Sequence, residues 1–201
     1  PAKDTPGTVV CGGFEHCDPH YRIARQRFKY HSIEYVVAGQ GQLVTAGRTY
    51  PLRPGAIYYY SPTTPHEITT DPHRPLVKYF IDFCGPRFAR LLNNNPLAQN
   101  APCYFANTAR FHELFASLQQ SGRDMGPHTP DICGCLLELL ILLAADKALS
   151  QDDADSPAQQ TYQRCRDVIG KRFLELHALN EVAAACHINA PYLCRLFKRY
   201  G

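Results

Sequence analysis

Residues 31–68 read HSIEYVVAGQGQLVTAGRTYPLRPGAIYYYSPTTPHEI, a pattern that indicates β-structure. Short β-branched and aromatic runs alternate here with turn-forming residues, namely Gly39, Gly41, Gly47, Gly55 and Pro62. Strands of five or six residues separated by such turns are typical of a β-sandwich or a small barrel. The same pattern extends over residues 21–85, where LVKYFIDF (76–83) is the last strand.

After Pro86 the pattern changes from strands to helices. Apolar residues recur every three or four positions in three segments, 87–95, 109–122 and 131–150. This period predicts three helices. The third is apolar on nearly every side, which fits either a helix central to a core or a helix packed against another subunit. The pattern leaves these two alternatives open.

A second domain is predicted beyond an acidic, proline-containing linker at residues 151–158. We therefore expect a first domain over 1–150 and a second over 159–201. The second domain starts with an amphipathic helix over 159–176, whose apolar stripe comprises Tyr162, Cys165, Val168, Ile169 and Phe173. The predicted fold class is α+β, with a β-barrel, then helices, then an all-α C-terminal segment.

Charge is divided unevenly along the chain. Residues 1–157 carry 14 Lys+Arg and 15 Asp+Glu, whereas residues 158–201 carry 7 and 3, a net charge of +4. A basic end on a neutral body indicates either a polyanionic partner for that end or an ordinary solvated basic face.

The cysteines argue against a secreted, disulfide-stapled protein. There are nine, an odd number, and no pair has the C-x-x-C spacing. No apolar run is long enough to span a bilayer. We expect a reduced, cytoplasmic protein with no membrane partner.

The end of the chain, LNEVAAACHINAPYLCRLFKRY (179–200), divides into two short helices at a turn near His187. Asn189 is placed to cap the second helix, and Pro191 falls in its first turn. The apolar face comprises Leu179, Val182, Ala183 and Cys186 in the first helix and Leu193, Leu196 and Phe197 in the second. Two helices packed on a shared apolar face, with basic residues outward, predict a helix-turn-helix.

Residues 178–201 resemble the first helix-turn-helix of the AraC family of bacterial transcription regulators. The matching residues are Leu179, Val182, Ala183, Ile188, Tyr192, Leu193, Arg195, Leu196, Phe197, Lys198 and Gly201. One departure is His187, because the family usually has glycine at this turn. Glycine accepts a positive φ most easily, and histidine is among the tolerated exceptions.

The resemblance implies a DNA-binding role for five residues of the second helix. Pro191, Cys194 and Arg195 would meet base edges, and of these only Arg195 can donate hydrogen bonds to a guanine. Lys198 and Arg199 would lie near phosphates and position the helix. The alternative for each basic residue is solvated surface.

A second departure concerns the number of helix pairs. The family carries two such pairs joined by a long helix, and this sequence contains only the first. We therefore expect a truncated portion of a longer regulator, which needs the second helix-turn-helix for full DNA affinity.

The β-rich half resembles the cupin-type sensory domain that precedes many AraC-family DNA-binding domains. The shared features are the Gly39–Gly41 turn, the corner formed by Leu52, Pro54 and Gly55, and Pro62 followed by His66. The resemblance implies a regulator that binds a small-molecule effector, a carbohydrate in the sugar-sensing members. We expect a homodimer, no cofactor and no enzymatic activity.

Four polar residues are candidates for the effector site. The resemblance places His66 in the barrel pocket, and Glu34, Arg25 and Lys78 lie in predicted strands. Their donors and acceptors suit a hydroxyl-rich ligand. The alternatives are a structural turn for His66 and an outward orientation for the other three, because strand parity alone can exchange the two faces.

A metal-dependent cupin enzyme, such as an isomerase or a dioxygenase, is the alternative function. His31, Glu34 and His66 could supply three ligands. The second histidine of the His-x-His pair found in many cupins is missing, so this spacing does not match the metal-binding motif.

Overall fold

The computed structural model describes residues 7–105, 108–149 and 156–200. The chain divides into two compact units, residues 1–148 and 149–201. Most of the predicted linker (151–158) lies outside the described residues, as does Gly201. None of the helices in the described ranges is both long and apolar enough to cross a membrane.

Eight strands of the first unit form two antiparallel sheets. They are β1 Thr8–His16, β2 Arg22–Arg25, β3 His31–Ala38, β4 Gly41–Thr45, β5 Arg48–Leu52, β6 Ile57–Tyr60, β7 His66–Thr70 and β8 Val77–Cys84. One sheet has the order β1-β8-β3-β6 and the other β2-β7-β4-β5. The predicted start of the β region at Tyr21 is therefore wrong by one strand. Adjacent glycines at 12 and 13 obscure the alternation of β1.

The turn between β3 and β4 requires glycine. Gly39 has a φ of 82°, and a Cβ at this position would collide with the carbonyl of Pro75. A side chain would therefore meet both backbone strain and a steric clash.

Three helices follow the sheets, as the sequence predicts. They are α1 Pro86–Leu92, α2 Thr108–Asp124 and α3 Thr129–Lys147, with a 3-10 helix at Pro96–Gln99. Two-residue strands lie at Tyr104–Phe105 (β9) and Ala148–Leu149 (β10). On α3, one face is buried in the core through Cys133, Leu137, Leu140, Ile141 and Ala144. Ile132, Leu139 and Leu142 of the same helix are exposed.

The strands β3 and β8 are buried on both of their faces. Ile33 and Tyr35 belong to the apolar core that β3 shares with the helices. The alternate residues Ser32 and Glu34 are also buried, although both are polar. Since successive strand side chains point to opposite faces, the polar set lies on the face turned away from the helical core.

The described part of the second unit contains three helices, α4 Pro157–Arg172, α5 Leu179–Ala185 and α6 Ala190–Tyr200. Its core contains Cys165, Ala183, Cys186 and Leu193. The helix predicted over 159–176 ends at Arg172, so Phe173 lies past its end and is 64% exposed rather than part of the stripe. The expected burial of Leu179 is also wrong, since this first residue of α5 is 50% exposed.

Candidate functional site

Glu34 lies at the centre of the polar interior between the sheets. Its Oε2 accepts a hydrogen bond from the Tyr58 hydroxyl at 2.6 Å and another from Lys78 Nζ at 2.7 Å. Its Oε1 accepts one from the Tyr60 hydroxyl at 2.7 Å. The antiparallel register places Tyr58 opposite Glu34 and Tyr60 opposite Ser32, which puts both tyrosines on the face of Glu34. Both carboxylate oxygens are therefore satisfied within the protein.

Lys78 completes this network with two ion pairs. Its Nζ lies 2.7 Å from Glu34 and 2.8 Å from Glu15, and the side chain is 2% exposed. Burial alone would lower the pKa of Lys78 and raise that of Glu34. The attraction between their charges outweighs burial, so the lysine pKa is raised and the glutamate pKa is lowered. Both groups are charged at neutral pH.

His66 is the first residue of β7 and is 4% exposed. Its ring stacks on Tyr60 of the facing sheet, with 3.8 Å between the centroids. The His66 Nδ1 lies 2.9 Å from the carbonyl oxygen of Thr64, and a carbonyl can only accept, so Nδ1 carries the proton. Burial lowers the pKa of His66 and favours the neutral ring. Its Nε2 is therefore an acceptor.

The Nε2 atom of His66 differs from the carboxylate oxygens of Glu34, because it has no hydrogen-bond partner among the described residues. It is buried, and no group of the described residues donates a hydrogen bond to it. Buried polar atoms without a partner are rare in proteins and call for an explanation, such as an external ligand or solvent.

Arg25 and Asp82 are further charged groups of this interior. Arg25 is half-buried and lies opposite His66 in the β2–β7 register, with its guanidinium 4.3 Å from the Phe28 ring centroid. Asp82 on β8 accepts a hydrogen bond from the thiol of Cys11 at 3.4 Å. Burial raises the pKa of Asp82, which makes its protonated form more accessible than in water.

The four sequence-predicted site residues thus lie on interior faces, but in two different situations. Glu34 and Lys78 are paired with each other, whereas His66 and Arg25 lie beside each other on facing strand positions. Sequence reasoning missed Glu15, Tyr58, Tyr60 and Asp82. The alternation in IYYY (57–60) was a usable signal for the tyrosines, although it does not say which face is interior.

His31 lies apart from the other two proposed metal ligands. Its ring stacks on Phe83 at 5.4 Å, and its Nδ1 lies 2.7 Å from the Tyr59 hydroxyl. Phe83 belongs to the core beneath the helices, so His31 and Glu34 point to opposite faces of β3. Within the described ranges, no group of three or more His, Cys, Asp or Glu side chains could hold a metal ion.

The candidate nucleic-acid face lies on α6 in the second unit. His187 has a φ of 56°, the left-handed conformation expected where the family has glycine. Asn189 caps α6, since its Oδ1 accepts a hydrogen bond from the Tyr192 amide at 2.8 Å. The five candidate DNA-binding residues are all exposed: Pro191, Cys194, Arg195, Lys198 and Arg199. The Arg195 guanidinium lies 5.6 Å from the Tyr192 ring centroid.

The apolar side of α6 packs within the second unit, which leaves its basic side outward. Leu193 and Leu196 are buried, and the Tyr162 ring of α4 contacts Phe197 with 4.9 Å between centroids. An arginine exposed on a helix whose opposite side is packed can reach a partner without unfolding.

Comparison with known proteins gives a family match that begins in β1 and extends into α4. The family model of the AraC-like ligand binding domain matches residues 10–161. Among solved structures, a Cupin 2 conserved barrel domain protein from Salinispora arenicola is 16% identical and has a TM-score of 0.32. The match covers 39% of this chain and 74% of that protein. No curated protein matches the sequence.

Two further solved structures are similar over a comparable share of the chain. A predicted oxalate decarboxylase from Thermotoga maritima is 15% identical, with a TM-score of 0.34 and coverage of 37% of this chain and 65% of that one. The Cupin_2 domain of an XRE family transcriptional regulator from Enterobacter cloacae is 11% identical, with a TM-score of 0.32. That match covers 39% of this chain and 94% of that domain.

Replacing Glu34 tests how much the buried charge network of the β1-β8-β3-β6 sheet contributes to stability. Glu34→Gln leaves Lys78 with Glu15 as its only carboxylate, and we expect a loss of about 3 kcal/mol in the free energy of unfolding. The matched control Glu67→Gln breaks only the exposed ion pair with Arg22 and should cost less than about 1 kcal/mol. Urea denaturation measures both, and equal losses in the two variants would contradict the role assigned to Glu34.

The same pair predicts a pH dependence with a definite sign. The pKa of Glu34 is lower in the folded protein than its ordinary value of 4.5, so the native state binds this proton less readily than the unfolded chain. Its stabilisation is present above pH 4.5 and is lost as the pH falls below that value towards the folded pKa. The free energy of unfolding should fall less steeply with decreasing pH in Glu34→Gln than in the wild type. An unchanged slope would contradict the lowered pKa assigned to Glu34.

Proposed function

We propose, since the chain belongs to the family of AraC-like ligand-binding domains, that it is a ligand-responsive transcription regulator. In this proposal the interior between the sheets binds a small polar effector, and α6 binds DNA. The effector is bound and released unchanged, without a catalytic step. Effector binding and DNA binding are coupled, so each changes the affinity for the other by the same factor.

The unpartnered Nε2 of His66 is the observation that carries the effector proposal. The Thr64 carbonyl fixes the proton on Nδ1, so Nε2 can only accept. An effector must therefore present an O–H or N–H group at this atom. Leaving such an acceptor buried and unpaired costs roughly 1–3 kcal/mol, which a matching donor on the ligand recovers.

The groups around His66 favour a neutral, hydroxyl-rich effector, and a carbohydrate fits best. Arg25 supplies donors only, whereas the Asp82 carboxylate supplies acceptors. A hydroxyl group both donates and accepts, so a ligand with several hydroxyls can serve all three side chains. The Tyr60 ring offers an apolar face close to His66, which suits the C–H face of a sugar ring.

We further propose that α6 reads DNA through Arg195. Arg195 is exposed near the start of the helix, and Lys198 and Arg199 follow on exposed positions towards its end. This order matches a recognition helix that contacts bases with its N-terminal half and phosphates with the rest. The net charge of +4 on residues 158–201 supports a polyanionic partner.

A homodimer through α3 is the third element of the proposal. Ile132, Cys135, Leu139 and Leu142 are exposed on α3 at alternating spacings of three and four residues. This spacing forms the seam of a coiled coil, and an exposed apolar stripe of this kind indicates a helical partner.

Replacing His66 tests the effector site. A thermal-shift screen of neutral mono- and disaccharides should find one that stabilises the protein, by about 2.7 kcal/mol at a hundred times its Kd. His66→Phe keeps the ring stack on Tyr60 but removes the acceptor, so the stabilisation should disappear. His73→Phe changes an exposed histidine before β8 and should retain it. If no saccharide stabilises the protein, the carbohydrate class is wrong, and equal stabilisation of both variants rules out the site.

Replacing Arg195 tests the DNA face in the full-length gene product bound to its own promoter region. Arg195→Gln should weaken specific binding by about 1–3 kcal/mol and relax the preference at one base pair. Lys198→Gln should weaken binding to all DNA sequences alike and reduce the slope of log affinity against log salt concentration by about one. Arg172→Gln, at the exposed end of α4, serves as the control. Gel shifts that show no loss for Arg195→Gln would contradict the proposal.

Replacing Leu139 tests the dimer. Leu139→Asp should convert the dimer into a monomer, because the two symmetry-related aspartates would bury like charges in the interface. Ser117→Asp adds the same charge to an exposed position of α2 and should leave the dimer intact. Sedimentation velocity measures both variants, and a wild-type monomer at every concentration would rule out this interface.

A further inference from the structure

A groove outside the polar interior runs between β1 and the helices α2 and α3. It has a volume of about 540 Å³ and includes neither His66 nor Glu34 in its lining. Its size falls within the range of small-molecule sites, roughly 300–1,000 Å³. One wall is β1, which lies at the edge of its sheet and has a neighbour on one side only.

Aromatic rings form the floor of this groove. Phe14 and Tyr79 lie with their ring centroids 4.6 Å apart, and Tyr79 and Phe115 follow at 5.8 Å. Phe14 and Val10 are 37% and 40% exposed, so apolar surface faces the groove directly. A row of rings with exposed surface at one end favours a further aromatic ring from a ligand.

The far end of the groove is polar and positively charged. Arg123, in the last turn of α2, is exposed and forms no ion pair with any described residue. The half-buried Gln119, one turn earlier, also lines the groove. Arginine is the side chain best suited to a carboxylate, because its guanidinium can donate two parallel hydrogen bonds.

Gly122 of α2 lines this end of the groove. A Cβ at this position would have no atom within 4 Å, so a larger side chain fits there without a clash.

We propose that this groove binds small carboxylates with an aromatic body. The ring packs against Phe14 and Tyr79, and the carboxylate pairs with Arg123. The groove thus gives the first unit a second ligand site, suited to an anionic ligand with an apolar body, whereas the interior between the sheets is suited to a neutral polar ligand. It does not depend on effector binding at His66.

The test uses 4-phenylbutyrate as the probe and 4-phenylbutan-1-ol as its uncharged match, with binding measured by ligand-observed NMR and calorimetry. The wild-type chain should bind the carboxylate at least tenfold more tightly than the alcohol. Arg123→Gln should remove this preference. Gly122→Leu should weaken binding of both probes, because Gly122 lines the groove and a leucine side chain there would occupy part of its volume.

Two controls separate the groove from a general effect on folding. Gly170→Leu makes the same change in α4, also where a Cβ meets no atom within 4 Å, and should bind like the wild type. His66→Phe should also bind normally, which distinguishes this site from the effector site. Absence of binding to the wild type, or unchanged binding in Gly122→Leu, would overturn the proposal.

Discussion

The burial of β3 and β8 on both faces is the constraint on which the rest of the first unit depends. One face of each strand packs into the apolar core with the helices, through residues such as Ile33, Tyr35 and Ile81. The other face turns Glu34 and Lys78 into the space between the sheets, where neither charge could be tolerated alone. The ion pair and the tyrosine hydroxyls together make a polar interior possible.

This arrangement divides the polar interior into a satisfied part and an open part. Glu34, Lys78 and the tyrosines form hydrogen bonds with one another. These residues therefore hold the walls of the interior in place and have little capacity left to bind a ligand. In the open part, the Nε2 of His66 is a buried acceptor without a partner among the described residues, and its ring is held in place by Tyr60 and by Thr64. A few such groups determine the specificity of a small site. A ligand that leaves one of these buried polar atoms without a hydrogen bond binds more weakly.

Much of the fold could be predicted from the sequence, because period-2 and helical patterns are local. The helices and most strands were found in this way, whereas β1 was missed because adjacent glycines interrupt its pattern. The orientation of Glu34, Lys78 and His66 was beyond prediction, since strand parity depends on which face the helices cover. The pairing of Glu34 with Lys78 joins residues 44 positions apart and leaves no local signal.

The protonation state of His66 is the most direct test of the proposed effector site, and ¹⁵N NMR of the imidazole nitrogens measures it. We predict a neutral ring at pH 7 with the proton on Nδ1 and a bare Nε2, whose resonance moves when an effector donates a hydrogen bond to it. A proton on Nε2, or a positively charged ring at pH 7, would contradict this assignment, because the interior would then lack the acceptor assigned to the effector.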